Sequence, residues 1–218
     1  MFSNIRWNEV WRASQDTLIM LGFSLVFTVL LGLVLGVLLF VTGRGQILEN
    51  GVVHRTLSVI VNITRSVPFV ILMISIFPLT KWIVGTSIGV KGSIPPLVIA
   101  AAPFFARLVE AALREVDRGV IEAAQAMGAS KWTIVWRVLL REARTGIIAA
   151  VTVTAVTLVS YTAMSGVVGG GGLGDLAIRY GYQRFQPDVM IVTVVLLVVL
   201  VQLLQSLGDL LVRKYIRR

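Results

Sequence analysis

Three long stretches without a charged residue constrain this chain more than any other feature: Thr17–Gly43, Thr145–Gly174 and Val189–Gly208. About 20 mostly apolar residues of helix cross the hydrocarbon core of a bilayer, and each stretch is long enough. Two shorter uncharged runs, Ser66–Thr80 and Gly92–Ala106, are short for a span on their own. The first lengthens backwards through Thr56–Thr64 if Arg65 sits at a helix end or a polar cavity. The second lengthens forward past Arg107 to Val109. With 56% hydrophobic and 14% charged residues, the chain departs from soluble domains, which are about 25% charged. The absence of cysteine excludes a disulfide scaffold. The first run is no signal peptide: 16 mixed-charge residues precede it, and no small-residue cleavage site follows.

The net charge of +9 admits two explanations, nucleic acid or the positive-inside bias of membrane proteins. The cations flank the apolar runs and form no single basic stripe, which sets nucleic acid aside. With five spans, alternate segments carry 14 and 6 Lys and Arg residues. The richer set belongs in the cytoplasm, so the N-terminus is expected outside and the C-terminus inside. A three-span alternative, with 44–144 wholly cytoplasmic, gives 16 against 4. Charge bias alone does not choose between them.

The segment from Arg107 to Arg144 is too long for a bare connection. Val120–Met127 is built from helix formers. Gly128 follows as a left-handed stop, and Ser130 can cap a second helix from Lys131 to about Arg141. Trp132, Val135, Trp136, Leu139 and Leu140 recur at i, i+3, i+4, i+7 and i+8, one apolar stripe with Lys131, Thr133, Arg137 and Arg141 opposite. Such a helix suits the membrane interface. Two readings stand side by side: an amphipathic interfacial linker, or a helix–Gly–helix knob that docks a cytoplasmic partner. In the second, Glu122 lies near the positive end of its helix, and Ala123 and Ala124 let another surface approach closely.

Glu122-Ala123-Ala124, Gly128, and Val138-Leu139-Leu140 after nine intervening residues resemble the EAA loop of ABC importer permeases. The proline that ends that motif is replaced by Arg141, which puts the local kink in doubt. The stretches VTGRGQ (41–46), NITRSVPFVIL (62–72), VGTSIG (84–89), AAPFFARLVE (101–110), IEAAQAMGAS (121–130) and SGVVGGGGLGDLAIRYGY (165–182) are similar to the methionine-uptake branch of those permeases. The resemblance implies an all-α membrane protein with five transmembrane helices, the type I ABC importer permease fold. It forms one domain over 1–218, with spans at about 17–43, 57–79, 92–109, 146–168 and 189–211 and a cytoplasmic EAA loop at 110–144. It implies a homodimer in the bacterial inner membrane. It further implies two cytoplasmic ATPase subunits that hold the ATP and Mg, and an extracytoplasmic methionine-binding (lipo)protein. Residues Glu122, Ala123, Ala124, Met127, Gly128 and Ala129 become the ATPase-coupling loop. The chain itself is then no enzyme and binds no cofactor.

On a helical wheel Thr154, Thr157, Tyr161, Met164 and Ser165 share an arc of about 100°, a candidate wall of the translocation path. The alternative is ordinary helix–helix hydrogen bonding. Met164 could touch a thioether side chain or close the path, or be a core residue. Ser66-Val67-Pro68 interrupts the second apolar segment. A proline there frees backbone carbonyls, tolerated only beside a cavity or another helix, so Ser66 and Pro68 are further pathway candidates, with a packing kink as the alternative. No carboxylate lies well inside spans 1, 4 or 5, which fits a net-neutral solute and an energy source outside this chain.

Gly169, Gly170, Gly171, Gly172 and Gly174 lie in GGGGLG, which formally satisfies a dinucleotide fingerprint. It follows a membrane span rather than a strand and is expected as a close-approach turn at the outer mouth, where the binding protein could dock. No phosphate-binding G-x4-G-K-[ST] occurs, so ATP is not expected on this chain. His54 is the sole histidine, which makes a zinc site implausible. Gly32 and Gly36 form a G-x-x-x-G pair, read here as the ordinary glycine content of membrane helices rather than a packing seam.

Overall fold

A computed structural model of the chain describes residues 5–216. Four helices are long and apolar enough to cross a bilayer individually. They are α1 (Trp7–Val41), α5 (Gly89–Arg114), α9 (Arg144–Ser165) and α11 (Pro187–Ile216). At 1.5 Å per residue α1 runs about 52 Å, against about 30 Å of hydrocarbon. Its first turns, with Arg12 and Asp16, therefore extend past the apolar layer.

The fifth apolar segment is built differently. Asn50 caps α2 (Gly51–Ser66) by accepting the Val53 N–H at 3.1 Å. The helix stops at Val67, and Pro68 precedes α3 (Phe69–Ser75). These two meet the length and apolarity of a span only as a pair, bent by 105°. A third piece, α4 (Phe77–Val84), ends at left-handed Gly85. Three helices thus cover 51–84, and α2 with α3 can count as one broken span, interrupted where Ser66-Val67-Pro68 was expected to interrupt it. The cause is local: Val67 is forced out of the helical region ahead of Pro68, and the proline ring removes a donor.

The core follows a seam between α1 and α5. Ser24, Thr28, Gly32 and Gly36 recur every fourth residue on α1 and are all buried. A Cβ added at Gly32 would stand 2.8 Å from the Ala102 carbonyl oxygen, and one at Gly36 would stand 2.6 Å from that of Ala106. The glycine pair is therefore a packing seam, and the ordinary-composition reading is corrected. Small residues let helix backbones approach closely where lipid offers no hydrophobic drive to pack. Phe105, Val109 and Leu113 on α5 then join Ile134, Val135 and Leu139 of the connecting loop in one buried cluster. A second cluster sets Met20 and Leu97 against Met73 and Leu158.

Between α5 and α9 the chain makes α6 (Arg118–Ala126), then a continuous run of α7 (Lys131–Thr133), a π-helix (Ile134–Leu139) and α8 (Leu140–Glu142). A turn at Ala143 starts α9. Beyond α9, a 3-10 turn (Gly166–Val168) leads to α10 (Gly172–Leu176), a second π-helix (Ala177–Tyr182) and α11. Since α5 runs to Arg114, residues 110–114 of the expected loop are its last turn.

Candidate functional site: coupling loop and polar path

The candidate coupling loop is shaped by its caps. The Asp117 carboxylate accepts the Gly119 N–H at 2.6 Å and starts α6. At the other end Gly128 is left-handed at φ 77°. Its N–H donates to the Gln125 carbonyl at 2.9 Å, and the Ala129 N–H to Ala124 at 3.1 Å. This pair of bonds is a Schellman stop, which needs a residue without a Cβ at its left-handed position. Ser130 then accepts the Thr133 N–H and opens the next helix.

Glu122, Ala123, Met127 and Gly128 are exposed, with Met127 at 82%. Ala124 is buried in the core cluster with Ile134 and Val135, and Ala129 packs against it. Ala124 therefore closes the knob onto its own subunit, a correction to its expected place on the docking face. Glu122 sits in the middle of α6, not in its first turn, because the helix begins at Arg118. The apolar stripe of the second helix also splits. Val135 and Leu139 are buried, whereas Trp132 and Trp136 are exposed, their rings 5.4 Å apart. The wider π turn shifts the phase that a 3.6-residue repeat assumes. Arg141, in place of the motif proline, lies in helical α8, and the chain turns two residues later at Ala143.

Behind this loop lies a clamp not foreseen from sequence. Glu110, 3% exposed, accepts hydrogen bonds from Arg107 Nη1 and Arg114 Nη2, each at 2.6 Å. Arg107 Nη2 also donates to Asn62 Oδ1 on α2 at 3.0 Å. A buried carboxylate needs such partners. Asn62 stands four residues before Ser66, whose hydroxyl donates to the Asn62 carbonyl. The clamp thus links the end of α5, next to the coupling loop, to the broken helix.

The pathway candidates fall into separate environments. Ser66 and Pro68 are exposed at the break. Tyr161 stacks on Phe69, one residue past Pro68, with ring centroids 4.5 Å apart, so break and α9 meet. Met164 is 46% exposed. Thr154 and Ser165 are fully buried and donate to carbonyls of their own helix, Ala150 and Thr162. The expected five-residue wall is therefore not one open face. Thr157 belongs to a groove of about 560 Å³ between α9 and α11, whose other polar residues are Thr152, Gln202, Gln205, Ser206 and Asp209. The last four recur at i, i+3, i+4 and i+7, a helical stripe that was readable in the sequence.

At the opposite end the glycine loop is pressed inward. Gly169, Gly171 and Gly172 have φ near 80°. Gly170, Gly172 and Gly174 are buried, with Gly169 exposed. Thr17 Oγ1 accepts the Leu173 N–H at 2.8 Å, and the Gly169 carbonyl accepts the Gly89 N–H at 2.9 Å. The loop ties α1, α5 and α9 together. Beside it Arg6, Arg179 and Arg184 surround the Tyr180 ring, 5.8, 5.1 and 4.5 Å from its centroid. His54 Nδ1 lies 3.0 Å from the Leu39 carbonyl and ties α2 to α1.

A capped exposed loop, a broken apolar segment and a polar groove between two long apolar helices fit a chain that spans a membrane. The family of binding-protein-dependent transport system inner membrane components matches residues 28–217. The chain belongs to this family. The permease is 53% identical over 206 residues to the probable D-methionine transport system permease protein MetI of Vibrio cholerae, covering 94% of this chain and 92% of that one. It is 46% identical to the methionine import system permease protein MetP of Bacillus subtilis, covering 96% and 95%. A solved chain of the inward-facing MetNI methionine ABC transporter superposes with a TM-score of 0.95 at 49% identity, covering 98% and 99%. An amino acid ABC transporter chain at 18% identity and TM-score 0.78 shares the fold. The permease thus has the all-α ABC importer permease fold.

Proposed function

We propose that the permease is the membrane-spanning subunit of an ATP-driven methionine importer. The carrying observation is its match to a MetNI chain over 98% of its length at 49% identity. The chain works as a homodimer, each copy supplying half of the path. Two cytoplasmic ATPase subunits bind ATP and Mg, and an extracytoplasmic binding protein delivers D- or L-methionine. The 14 to 6 split of cations supports a cytoplasmic loop and C-terminus and an outer N-terminus in the bacterial inner membrane. The exposed Glu122, Ala123, Met127 and Gly128 enter the ATPase surface, and the cluster around Tyr180, in which Arg6 and Arg179 are paired with Glu9 and Asp175, gives the outer end a mixed-charge face for the binding protein.

Closure of the ATPase pair moves α6, and the Glu110 clamp carries the motion to α2 and its break at Pro68. Tyr161 moves with Phe69, so opening at the break changes the path wall on α9. The groove of Thr157, Gln202 and Gln205 offers donors and acceptors suited to a zwitterion. The chemistry, ATP hydrolysis, belongs to the partner.

The test is uptake by the complex reconstituted with its ATPase and binding protein. Methionine is expected to stimulate ATP hydrolysis and to accumulate. Stimulation by another small polar solute but not by methionine would overturn the substrate while keeping the transporter. Accumulation by the chain alone, without ATPase, would make it a secondary carrier and overturn the whole reading.

A further inference from the structure

A cleft on the loop side of the molecule is used by none of these steps. It has a volume of about 590 Å³ and lies between Val120 at the start of α6, the Arg137–Glu142 stretch, the start of α9 and the end of α11. Arg137, Arg141 and Arg144 line it, with Glu142, Thr145 and Tyr215. Among the described residues none of the three arginines forms an ion pair. The Arg144 guanidinium lies 5.2 Å from the centroid of the Tyr215 ring, which holds it in place. Three cations gathered around one cavity, with a single carboxylate among them, leave an excess of positive charge.

The position says what supplies the anion. Arg144 is the first residue of α9, and Tyr215 is the penultimate residue of α11. The cleft is therefore at the level where two apolar spans leave the hydrocarbon layer. The Trp132 and Trp136 side chains, 71% and 50% exposed, project from the same helical run, Lys131–Glu142. Tryptophan settles at the headgroup level. Basic pockets between spans on the cytoplasmic side bind lipid head groups, and the guanidinium fork matches phosphate oxygens.

We propose that Arg137, Arg141 and Arg144 form a binding site for the phosphate head group of an anionic phospholipid, with Trp132 and Trp136 seated in the adjoining interface. The lipid would fasten the Arg137–Glu142 stretch and the first turn of α6 to the ends of α9 and α11, steadying the base of the knob. The inference rests on the cytoplasmic placement of this loop proposed above and not on the identity of the solute.

The experiment uses the permease–ATPase complex in bilayer discs of phosphatidylcholine with phosphatidylglycerol. The complex is then extracted into detergent, and retained lipid is counted by native mass spectrometry. Wild type is expected to retain phosphatidylglycerol in preference to phosphatidylcholine. The triple variant Arg137→Gln, Arg141→Gln, Arg144→Gln is expected to lose at least about tenfold of that preference. The triple Lys variant, which keeps the charge, is expected to retain part of it and serves as the folding control. Unchanged phosphatidylglycerol retention in the Gln variant overturns the proposal. Loss of ATPase subunits with lipid retention intact assigns the cleft to the protein partner and also overturns it. Displacement of the lipid by millimolar inorganic phosphate makes the site one for free phosphate and overturns the lipid assignment. Methionine uptake is measured separately, so failure of the solute reading leaves this result standing.

Discussion

The α1–α5 seam and the α2–α4 segment are both apolar, yet they are built to opposite ends. Along the seam, small residues every fourth position bring two unbroken helices into close approach, and their facing side chains are buried. Along α2–α4 the helix breaks twice. There Val59, Ile60, Ile63, Ile71, Ile74 and Trp82 are exposed, and Val61, Phe69 and Met73 are among the few buried side chains. Irregular backbone at membrane depth is stable only against protein or a cavity. One region is complete within the subunit, and the other needs a covering surface.

Substitutions break that comparison in graded steps. Gly36→Leu is expected to have the largest effect, because its Cβ alone meets both the Ala106 carbonyl and Val109. A loss of about 3 kcal/mol or more is expected, read as failed assembly or a collapsed melting temperature in detergent. Gly22→Leu, with nothing within 4 Å of an added Cβ, is its control, and equal damage from both would refute the seam.

Glu110→Gln follows, at roughly 2 kcal/mol. It leaves Arg107 and Arg114 without a carboxylate, but both arginines are partly exposed and water softens the cost. Asn62→Leu leaves Glu110 with both arginines and severs only the tie to α2. ATP hydrolysis should continue while uptake falls, so a preserved ratio of uptake to hydrolysis would deny the link a coupling role.

Gly128→Val is expected to cost about 1–2 kcal/mol locally, from a side chain forced into the left-handed region. It should uncouple hydrolysis from uptake more than it lowers the melting temperature. Trp82→Ala sharpens the contrast at the small end. With Trp82 84% exposed, the isolated subunit should change by less than about 0.5 kcal/mol. A change confined to dimer or complex stability would show that α4 is covered there, and a large drop in the subunit alone would contradict the exposed geometry.

The sequence made some of these features legible because their causes are local. Pro68 halts a helix wherever it sits, Gly128 accepts a left-handed turn, and Ser130 caps with its own hydroxyl. Those three positions carry the break and the knob. The two ion pairs of Glu110 were readable as i, i+3 and i, i+4 neighbours on one helix, but their tie to α2 was not, because Asn62 is 45 residues from Arg107 and nothing along the chain pairs them. Ala124 was misplaced for a similar reason: small size suits a docking face or a core equally, and only the packing of Ile134 against it decides. The split of Trp132 and Trp136 from Val135 and Leu139 has another origin. A wheel drawn at 3.6 residues per turn cannot anticipate a wider one. The Gln202–Asp209 stripe was readable, but the apolar length of α11 obscured its period.

The wide turn at Ile134–Leu139 also bears on length. A π turn is equivalent to an α turn carrying one surplus residue. Deleting the exposed Trp136 would let the segment close into ordinary α-helix. The wide turn takes up its surplus residue locally, so the elements on either side would keep their phase and α6 would stay aimed as it is relative to α9. A single-codon deletion inside the wide turn is thus expected to leave the bearing of the knob unchanged, whereas one residue deleted from regular α-helix beside it would turn the knob by about 100°. The wide turn is slack in the segment, a place where the chain can gain or lose one residue without swinging the lever beyond it.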